Sequence, residues 1–273
     1  MKLSNTLLAV IATAVFGALI GIVLRIYQIG FCMDANGLVL VGNHILYLLL
    51  AFAVTVAVLL ALFCSRLPNT MGSECDLCGA PAFLFVDLAG VVCLFYGAMQ
   101  RLIDGDNLYL CIIGMESALL LGAAALLYGK KSKAVFWLLL LSCAYYAGQL
   151  IFDFKNWSTD PLVIDFCFRL LSQVCGMLAL LHLAAFPLSY GRRRMTAFWS
   201  ACTVVFTATL LPDFFIAKTL SLGELMIPLG IAIWCGSHAL RILCSEPQEE
   251  APPTEAPEAL SIEESVEQTI ETE

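Results

Sequence analysis

The chain has 273 residues, of which 60% are hydrophobic and only 13% are charged, against roughly 45–50% and about 25% in a typical soluble domain. This composition excludes an ordinary water-soluble domain and is typical of a protein embedded in a lipid bilayer. The formal net charge of −8 comes from segment 245–273, which contains ten Glu and no Lys or Arg. Because nucleic-acid binding requires clustered Lys and Arg, the sequence predicts no nucleic-acid partner.

Eight stretches with few or no charges follow one another along the chain, each bounded by charged residues, Pro, Gly or Asn. Each can cross a hydrocarbon core of about 30 Å, and a backbone that crosses lipid must satisfy its own amides, so each is predicted to be a helix. The sequence therefore predicts an all-α, polytopic transmembrane bundle of about eight helices over residues 1–244, with the lipid bilayer as its surroundings. The predicted spans are 5–24, 38–64, 82–100, 108–128, 134–152, 163–186, 197–214 and 220–243.

Lys and Arg are distributed unevenly between the predicted loops. With the N-terminus placed inside, nine basic residues lie on that side of the membrane and five lie on the other. Because cytoplasmic loops retain an excess of positive charge, the sequence predicts that both termini lie in the cytoplasm. The expected location is a cell membrane, and a bacterial inner membrane in particular. The opposite loops are rich in carboxylates: Asp34, Asp104, Asp106, Asp153, Asp160, Asp165 and Asp213.

A short motif occurs twice, each time before an odd-numbered span. Tyr128-Gly129-Lys130-Lys131 with Phe136-Trp137 recurs 62 residues later as Tyr190-Gly191-Arg192-Arg193 with Phe198-Trp199. The recurrence indicates that the bundle is built from paired helical hairpins. The alternative is independent selection, since any membrane boundary favours basic residues and an interfacial Trp.

The C-terminal segment 245–273 is predicted to be an acidic and largely disordered cytoplasmic tail. Its first part, 245–258, combines four prolines with acidic residues and cannot bury a core. From Ser261 a capping box with Glu264 and an apolar residue at every fourth position predict a short amphipathic helix over 261–271. Because its other face is rich in Glu, we expect a cytoplasmic protein partner rather than anionic lipid. The alternative is a solvated tail without stable structure.

Charged residues inside the spans are the strongest indication of a functional site, since a charge at the bilayer centre costs at least about 2.5–3.5 kcal/mol. Glu116 in the fourth span and Arg169 in the sixth lie at similar depth in the half of the bilayer nearer the acidic loops. We expect them to form an ion pair or two walls of one polar cavity. Alternatively they only link two helices or face water. Three polar residues at similar depth complete the predicted ligand-binding site: His44, Gln100 and Gln149. Together with Arg25 and Arg101 they are expected to line a site for a small polar or anionic ligand.

Asp87 is predicted to lie about six residues inside the third span, after Phe83-Leu84-Phe85-Val86. An intramembrane carboxyl group is a candidate proton relay, because intramembrane acidic residues serve proton transfer in pumps and transporters. The alternative is that the helix begins later in the sequence, which would leave Asp87 at the membrane surface.

Cys75 and Cys78 form the one motif with the spacing of metal ligands. Two thiolates separated by two residues, followed here by Gly79, make half of a zinc knuckle. A second such pair is absent from the sequence. A pair of free thiols or a redox couple is therefore the alternative to a metal site.

The sequence contains none of several common catalytic and nucleotide-binding motifs, among them G-x-x-x-x-G-K-[ST], H-E-x-x-H and G-x-S-x-G. It therefore predicts no catalytic residue and no cofactor. The first predicted function is transport or binding of a small polar solute. The second is that of a noncatalytic membrane subunit or sensor that presents its acidic tail to a cytoplasmic partner. An intramembrane enzyme is the third, for which the sequence offers no nucleophile with a positioned base.

Overall fold

The computed structural model describes residues 3–33, 44–67, 71–72, 81–128, 130, 132–157 and 167–245. Within this part of the chain, eight helices are long and apolar enough to cross a membrane. The prediction of an all-α helical bundle is therefore confirmed, and the chain is an integral membrane protein. The helices are α1 Leu3–Phe31, α2 Ile45–Cys64, α3 Pro81–Ile103, α4 Leu108–Leu127, α5 Ala134–Trp157, α6 Cys167–Ala184, α7 Arg193–Ala208 and α8 Leu222–Cys244.

Side-chain caps fix where two of these helices begin. At the start of α8, the Ser221 hydroxyl accepts a hydrogen bond from the Glu224 amide (3.2 Å), while the Glu224 carboxylate accepts one from the Ser221 amide (2.9 Å). At the start of α4, the Asn107 side-chain oxygen accepts hydrogen bonds from the amides of Tyr109 and Leu110. These caps satisfy amides that have no partner within the helix.

Several helices extend beyond the predicted limits because charged residues lie inside the bundle. The prediction that the first helix ends at residue 24 is wrong, since α1 continues to Phe31 and buries Arg25. Likewise, α3 continues past Arg101 and α5 past Asp153. An internal ion partner allows a helix to include a charge that would otherwise mark its end. The predicted starts of the second and sixth spans, at 38 and 163, and the tail 246–273 lie outside the described residues.

Helix α8 lies at the centre of the bundle and α1 at its periphery. In the described structure, 72% of the α8 span is buried but only 17% of the α1 span. Helix α8 packs against α3, α6 and α7, whereas α1 and α2 pack against each other and against α7. The core accordingly has two parts, one among α1, α2 and α7, and one among α3 to α6 and α8.

Two glycine pairs bring α3 and α8 into backbone contact. A Cβ atom at Gly90 would lie 2.9 Å from the carbonyl oxygen of Gly230, and one at Gly97 would lie 3.0 Å from that of Gly223. In each helix the two glycines are seven residues apart, so the antiparallel helices stay close over two turns. Small residues allow this approach, which is a common way for helices to associate in membranes.

Successive helices run in opposite directions, so the bundle has two ends of different charge. We call the end where α3, α5 and α7 begin the basic end, and the opposite one the acidic end. At the basic end, β1 Met71–Gly72 pairs antiparallel with β2 Gly191–Arg192 and joins two connecting loops. Exposed basic residues there are Arg66, Lys130, Lys133 and Arg192, whereas the exposed charged residues described at the acidic end are of both signs: Asp104, Asp106, Lys155 and Lys218.

Helix α7 is followed by an irregular segment, and helix α8 is continuous but contains a proline. Helix α7 gives way to a turn and then to a π-helix, Asp213–Ala217, which ends at Lys218 with φ of 54°. Helix α8 contains Pro228, which has no amide hydrogen for the carbonyl of Glu224. The Pro228 carbonyl accepts a hydrogen bond from the Thr207 hydroxyl (3.4 Å), which links this point of α8 to α7.

Candidate functional site

Most of the buried charged side chains gather in three clusters, each of which joins residues far apart in sequence, while the buried Arg193 lies apart and donates to the Ser245 carbonyl. We name them after their carboxylates. The Asp153 cluster and the Asp213 cluster lie at the acidic end, and the Asp87 cluster lies at the basic end. The Asp153 cluster contains Arg101, Asp106, Gln149, Asp153, Arg169, Gln173 and Glu224. The Asp213 cluster contains Arg25, Gln28 and Asp213. The Asp87 cluster contains Asp87, Ser237, His238 and Arg241.

Asp153 of α5 lies between two arginines from other helices. The Arg101 Nη2 atom is 3.6 Å from Asp153 Oδ1, and the Arg169 Nη2 atom is 4.0 Å from Asp153 Oδ2. Gln173 Nε2 donates a hydrogen bond to Asp153 Oδ2 at 2.8 Å. All three charged side chains are almost fully buried, and such charges are tolerated in an interior only when they are paired and hydrogen-bonded.

Each of these arginines also holds a second carboxylate, at shorter range. Arg101 Nε donates to Asp106 Oδ2 at 2.6 Å, and Arg169 Nη1 donates to Glu224 Oε1 at 2.7 Å. The side chain of Asp153 is 3% exposed, that of Glu224 is 25% exposed and that of Asp106 is 39% exposed. The solvent exposure of the cluster therefore increases from a buried centre, Asp153, to a partly solvated rim formed by Glu224 and Asp106.

Two buried glutamines flank Asp153. Gln149 precedes it by one turn of α5, and Gln173 bonds to it from α6; their exposed fractions are 2% and 4%. Among the described residues, the Oε1 atoms of both glutamines lack a hydrogen-bond donor. Most buried polar atoms have a partner. The unsatisfied atoms of this cluster are acceptor oxygens beside one carboxylate, whereas those of the other two clusters are nitrogens, among them Gln28 Nε2 and His238 Nε2.

The structure brings together only part of the predicted ligand-binding site. Arg169 and Gln149 lie in the Asp153 cluster, as described above. Glu116 does not join them, because it lies on the exposed face of α4 with Ile112 and Ile113. Within the described structure, the carboxylates paired with Arg169 are those of Asp153 and Glu224. Glu116 is the ninth residue of α4 and Arg169 the third of α6, and the two side chains lie on faces that do not meet.

Gln100 and His44 also lie apart from the Asp153 cluster. Gln100 Nε2 donates to the Asp104 carboxylate one turn later in the chain, at 3.0 Å, near the exposed surface. His44 is the exposed residue at the start of α2, and its ring lies 6.2 Å from that of Tyr47. Since α2 packs against α1 and α7, His44 belongs to the other part of the bundle.

Asp87 is fully buried and is held by α8. Its Oδ1 atom accepts a hydrogen bond from the Ser237 hydroxyl at 2.6 Å, and its Oδ2 atom forms an ion pair with Arg241. The Arg241 guanidinium in turn lies 5.2 Å from the ring centre of Phe83, at a cation–π distance. Asp87 therefore lies inside the bundle rather than at the membrane surface. Its role as a proton relay stays a prediction.

His238 completes the Asp87 cluster on its apolar side. Its Nδ1 atom donates to the Trp234 carbonyl oxygen at 2.9 Å and lies 3.5 Å from Asp87 Oδ1. The imidazole stacks on the Trp234 indole with ring centres 4.0 Å apart, and the Tyr128 ring lies 5.0 Å away. An imidazole that is wholly enclosed by aromatic rings and one ion pair is held in a single orientation.

The Asp213 cluster links α1 to the π-helix. Arg25 donates to Asp213 Oδ1 through Nε at 2.9 Å, with Nη2 at 2.7 Å from the same oxygen. Arg25 Nη1 also donates to the Gln28 side-chain oxygen at 2.5 Å. The π-helix turns the Asp213 carboxylate toward α1, and such distortions often occur at specialised positions of membrane helices. This cluster therefore anchors the peripheral α1.

The predicted metal ligands Cys75 and Cys78 lie in segment 73–80, outside the described residues, as does the predicted helix over 261–271. Within the described ranges, no group of three or more His, Cys, Asp or Glu side chains could hold a metal ion. The grooves between helices are apolar. One of 630 Å³ lies between α1 and α2 and is lined by residues such as Phe16 and Phe52.

Sequence reasoning missed the residues that α8 contributes, namely Glu224, Ser237, His238 and Arg241. A usable signal was present. Glu224 follows the capping serine of α8, and Ser237 and Arg241 share a helix face near the depth at which Asp87 was expected. A search for a partner of Asp87 at the basic end would have found Arg241.

The eight spanning helices and the buried ion pairs between them define a polytopic α-helical membrane protein. No family model, no characterised protein and no solved structure matches the chain. Its function must therefore be inferred from the chemistry of the three clusters.

Proposed function

We propose that the protein binds a small polar solute at the Asp153 cluster and transports it across the membrane. The observation that supports this proposal is the pair of buried, unsatisfied oxygens of Gln149 and Gln173 on either side of one carboxylate. Polar groups that converge in an otherwise apolar interior are a common feature of ligand sites. Charged and polar residues within membrane spans commonly mark solute pathways.

The distances around Asp153 favour a binding site over a simple link between helices. Arg101 and Arg169 approach their rim carboxylates to 2.6 and 2.7 Å, but lie 3.6 and 4.0 Å from Asp153. Strong charge-assisted hydrogen bonds have donor–acceptor distances of about 2.7–2.9 Å. The central carboxylate is therefore held near two cations without tight contact to either, so it retains capacity to accept a hydrogen bond from a ligand.

The course of α8 supports transport rather than binding alone. This helix carries Glu224 of the Asp153 cluster at the acidic end and Arg241 of the Asp87 cluster at the basic end, with Pro228 between them. Proline allows a helix to bend, and transporters often use interrupted helices beside their substrate site. Bending of α8 at Pro228 would move Glu224 and Arg241 relative to each other, and so would alter the Asp153 cluster and the Asp87 cluster at the same time.

Three solutes of similar size test the proposal: ethylammonium, propionamide and propionate. The full-length protein in lipid nanodiscs is heated with each solute, and its melting temperature, Tm, is compared with that of Gln149→Leu. The matched control is Gln28→Leu, which changes a buried glutamine of the Asp213 cluster. We expect one solute class to raise Tm of the wild-type and control proteins but not of Gln149→Leu, since ligands stabilise the state that they bind. If no solute raises Tm, the proposed binding is wrong.

Transport is measured on the same protein in sealed liposomes. We expect uptake of the radiolabelled form of the stabilising solute, down its gradient, and we expect Gln149→Leu to lose it. Solute binding without uptake above that of protein-free liposomes would show a receptor rather than a transporter. We also propose that the basic end faces the cytoplasm of a bacterial cell, because of the excess of Lys and Arg there.

Glu116 favours a second candidate function, that of a membrane subunit. It is the ninth of the 20 residues of α4, is exposed, and lies among apolar side chains that would face lipid. An intramembrane carboxylate usually faces the inside of a bundle, so its exposure favours contact with a helix of another protein. The test is purification of the tagged protein from its native membrane. A stoichiometric partner that is lost in Glu116→Leu supports this function, and purification of the protein alone contradicts it.

The predicted acidic tail offers a separate route to a cytoplasmic partner. Its ten glutamates would repel anionic lipid and attract a basic protein surface. Truncation after Ser245 distinguishes partner binding through the tail from partner binding through Glu116. If complex formation and transport are unchanged by the truncation, the tail is not the binding segment.

A further inference from the structure

The Asp153 cluster contains more negative than positive charge. Its described ionic side chains are three carboxylates, Asp106, Asp153 and Glu224, and two guanidinium groups, Arg101 and Arg169. One negative charge therefore remains in excess. The excess lies at the buried centre of the cluster, because each rim carboxylate has an arginine at 2.6 or 2.7 Å.

The unsatisfied atoms of the cluster are acceptors. The orientation of the Gln173 amide is fixed, since its Nε2 atom donates to Asp153, and its Oε1 atom then has no donor in the described structure. Gln149 Oε1 is unsatisfied as well, on the same face of α5 as Asp153. A ligand that satisfies these atoms must supply N–H or O–H donors or a cation, and not further acceptors.

We infer that the solute of the Asp153 cluster is a small primary ammonium cation. This inference rests on the proposed function and names its substrate class. An ammonium group carries one positive charge and three N–H donors, and so matches the excess charge and the three acceptors: Gln149 Oε1, Gln173 Oε1 and the Asp153 carboxylate. Charge-assisted hydrogen bonds of this kind are strong in a buried site.

The same geometry disfavours an anion. Arg101 and Arg169 both hold carboxylates of the chain at 2.6 and 2.7 Å, so an anion would have to displace Asp106 or Glu224. It would also add to the existing excess of negative charge without giving Gln149 or Gln173 a donor. Amide and carboxylate oxygens also coordinate hard metal cations, so the test below includes sodium as the competing class of ligand.

The graded exposure of the cluster gives the cation a direction of approach. Asp106 is the most exposed carboxylate, at 39%, followed by Glu224 at 25%, while Asp153 is at 3%. The net negative charge of the cluster attracts cations from the side on which the cluster is exposed to solution. We therefore expect an ammonium group to enter from the acidic end, past the two rim carboxylates.

The test compares ethylammonium chloride with tetramethylammonium chloride, which has the same charge but no N–H donor, and with sodium chloride. Measured on the full-length protein in nanodiscs at constant ionic strength, ethylammonium should raise Tm by about 2–4 °C. The other two salts should give less than a quarter of this shift. Gln149→Leu and Gln173→Leu should each weaken ethylammonium binding by at least about tenfold, and Gln28→Leu should leave it unchanged.

A variant that adds charge gives an independent measurement if either leucine variant fails to fold. Gln149→Glu places a second carboxylate beside Asp153 and should tighten ethylammonium binding by about tenfold, since the new charge attracts the cation. A decrease in affinity for Gln149→Glu would contradict the inference. So would equal stabilisation by sodium or tetramethylammonium, because neither supplies a hydrogen-bond donor.

Failure of this inference can be told from failure of the proposed function. If propionate or propionamide stabilises the protein in a manner that depends on Gln149, and ethylammonium does not, the binding site is confirmed but the ammonium class is wrong. If none of these solutes has an effect, both proposals are wrong.

Discussion

Gly90 of α3 and Gly230 of α8 are so close that a methyl group on Gly230 would lie 2.6 Å from the carbonyl oxygen of Gly90. This contact sets the register of the two helices, and with it the alignment of Asp87 with Ser237 and Arg241. Neither backbone can move away without separating the groups of the Asp87 cluster. The close approach is therefore a requirement for the buried ion pair as well as a packing contact.

Gly230→Val should reduce the free energy of unfolding by about 1–3 kcal/mol, since the added methyl groups overpack the contact between α3 and α8. The measurement is unfolding in mixed micelles with increasing denaturing detergent. Gly148→Val is the matched control, because nothing lies within 4 Å of a Cβ atom at Gly148. Equal losses in the two variants would show that the α3–α8 contact has no special role.

Asp87 and Arg241 should show strong energetic coupling. Asp87→Asn and Arg241→Met each leave a buried charge without its counterion and should each reduce the free energy of unfolding by about 3–5 kcal/mol. The double variant leaves neither charge, so its loss should be smaller than the sum by about 1–3 kcal/mol. Additive losses in this double-mutant cycle would mean that the ion pair contributes nothing beyond its separate residues.

Asp153→Asn should destabilise the protein far more than Asp104→Asn. The first change weakens the charge-assisted hydrogen bond from Gln173 and removes the contacts of Arg101 and Arg169 with a buried carboxylate, and we expect a loss of about 1.5–3 kcal/mol. The second removes an exposed carboxylate that bonds only to Gln100 among the described residues, and should change stability by less than about 0.5 kcal/mol. The two aspartates lie at the same end of the bundle, so a similar effect of both would argue against a special environment for Asp153.

Glu116→Leu should stabilise the isolated protein in lipid nanodiscs. An exposed carboxylate in the middle of α4 carries a membrane cost of up to about 2.5–3.5 kcal/mol, and leucine removes it. Glu224→Leu is the contrasting variant and should destabilise the protein, because Glu224 pairs with Arg169 and caps α8. A loss of stability in Glu116→Leu would show that Glu116 has a partner within the chain.

Two native cysteines test the proposed orientation. Cys167 lies at the start of α6 at the acidic end, and Cys244 lies at the end of α8 at the basic end; both are exposed. A maleimide that does not cross membranes should label intact cells at Cys167, and Cys167→Ser should lose this label. Labelling of Cys244 in intact cells would reverse the proposed orientation.

The number of spanning helices was predictable from sequence because it depends on one quantity, the length of apolar chain required to cross the bilayer. The depth of a charged residue follows from the same information. The face of the helix on which it lies does not, since this depends on which helices are neighbours. Glu116 and Arg169 illustrate the difference: both lie within spanning helices, but Glu116 is exposed while Arg169 points toward Asp153 and Glu224.

Helix ends were predicted poorly where a charge lies inside the bundle. Arg25 was treated as a boundary, whereas the structure places it within α1 because Asp213 neutralises it. Gln149 and Arg169 were predicted to lie near each other, and both lie in the Asp153 cluster, but Asp153 itself was assigned to a loop. Pairing between distant charges is set by tertiary packing, and a single sequence gives no direct signal of it.

The central position of α8 also has a consequence for biosynthesis. Of the eight helices described, the ribosome makes this one last, although Asp87 depends on it for both Ser237 and Arg241. During translation the bilayer must therefore hold an incomplete bundle in which Asp87 still lacks Ser237 and Arg241. The final helix must then insert between α3, α6 and α7 rather than pack at the edge of the bundle. Chains that lose their last helix should be recognised by membrane quality control and degraded, while those with a shortened first helix should persist longer.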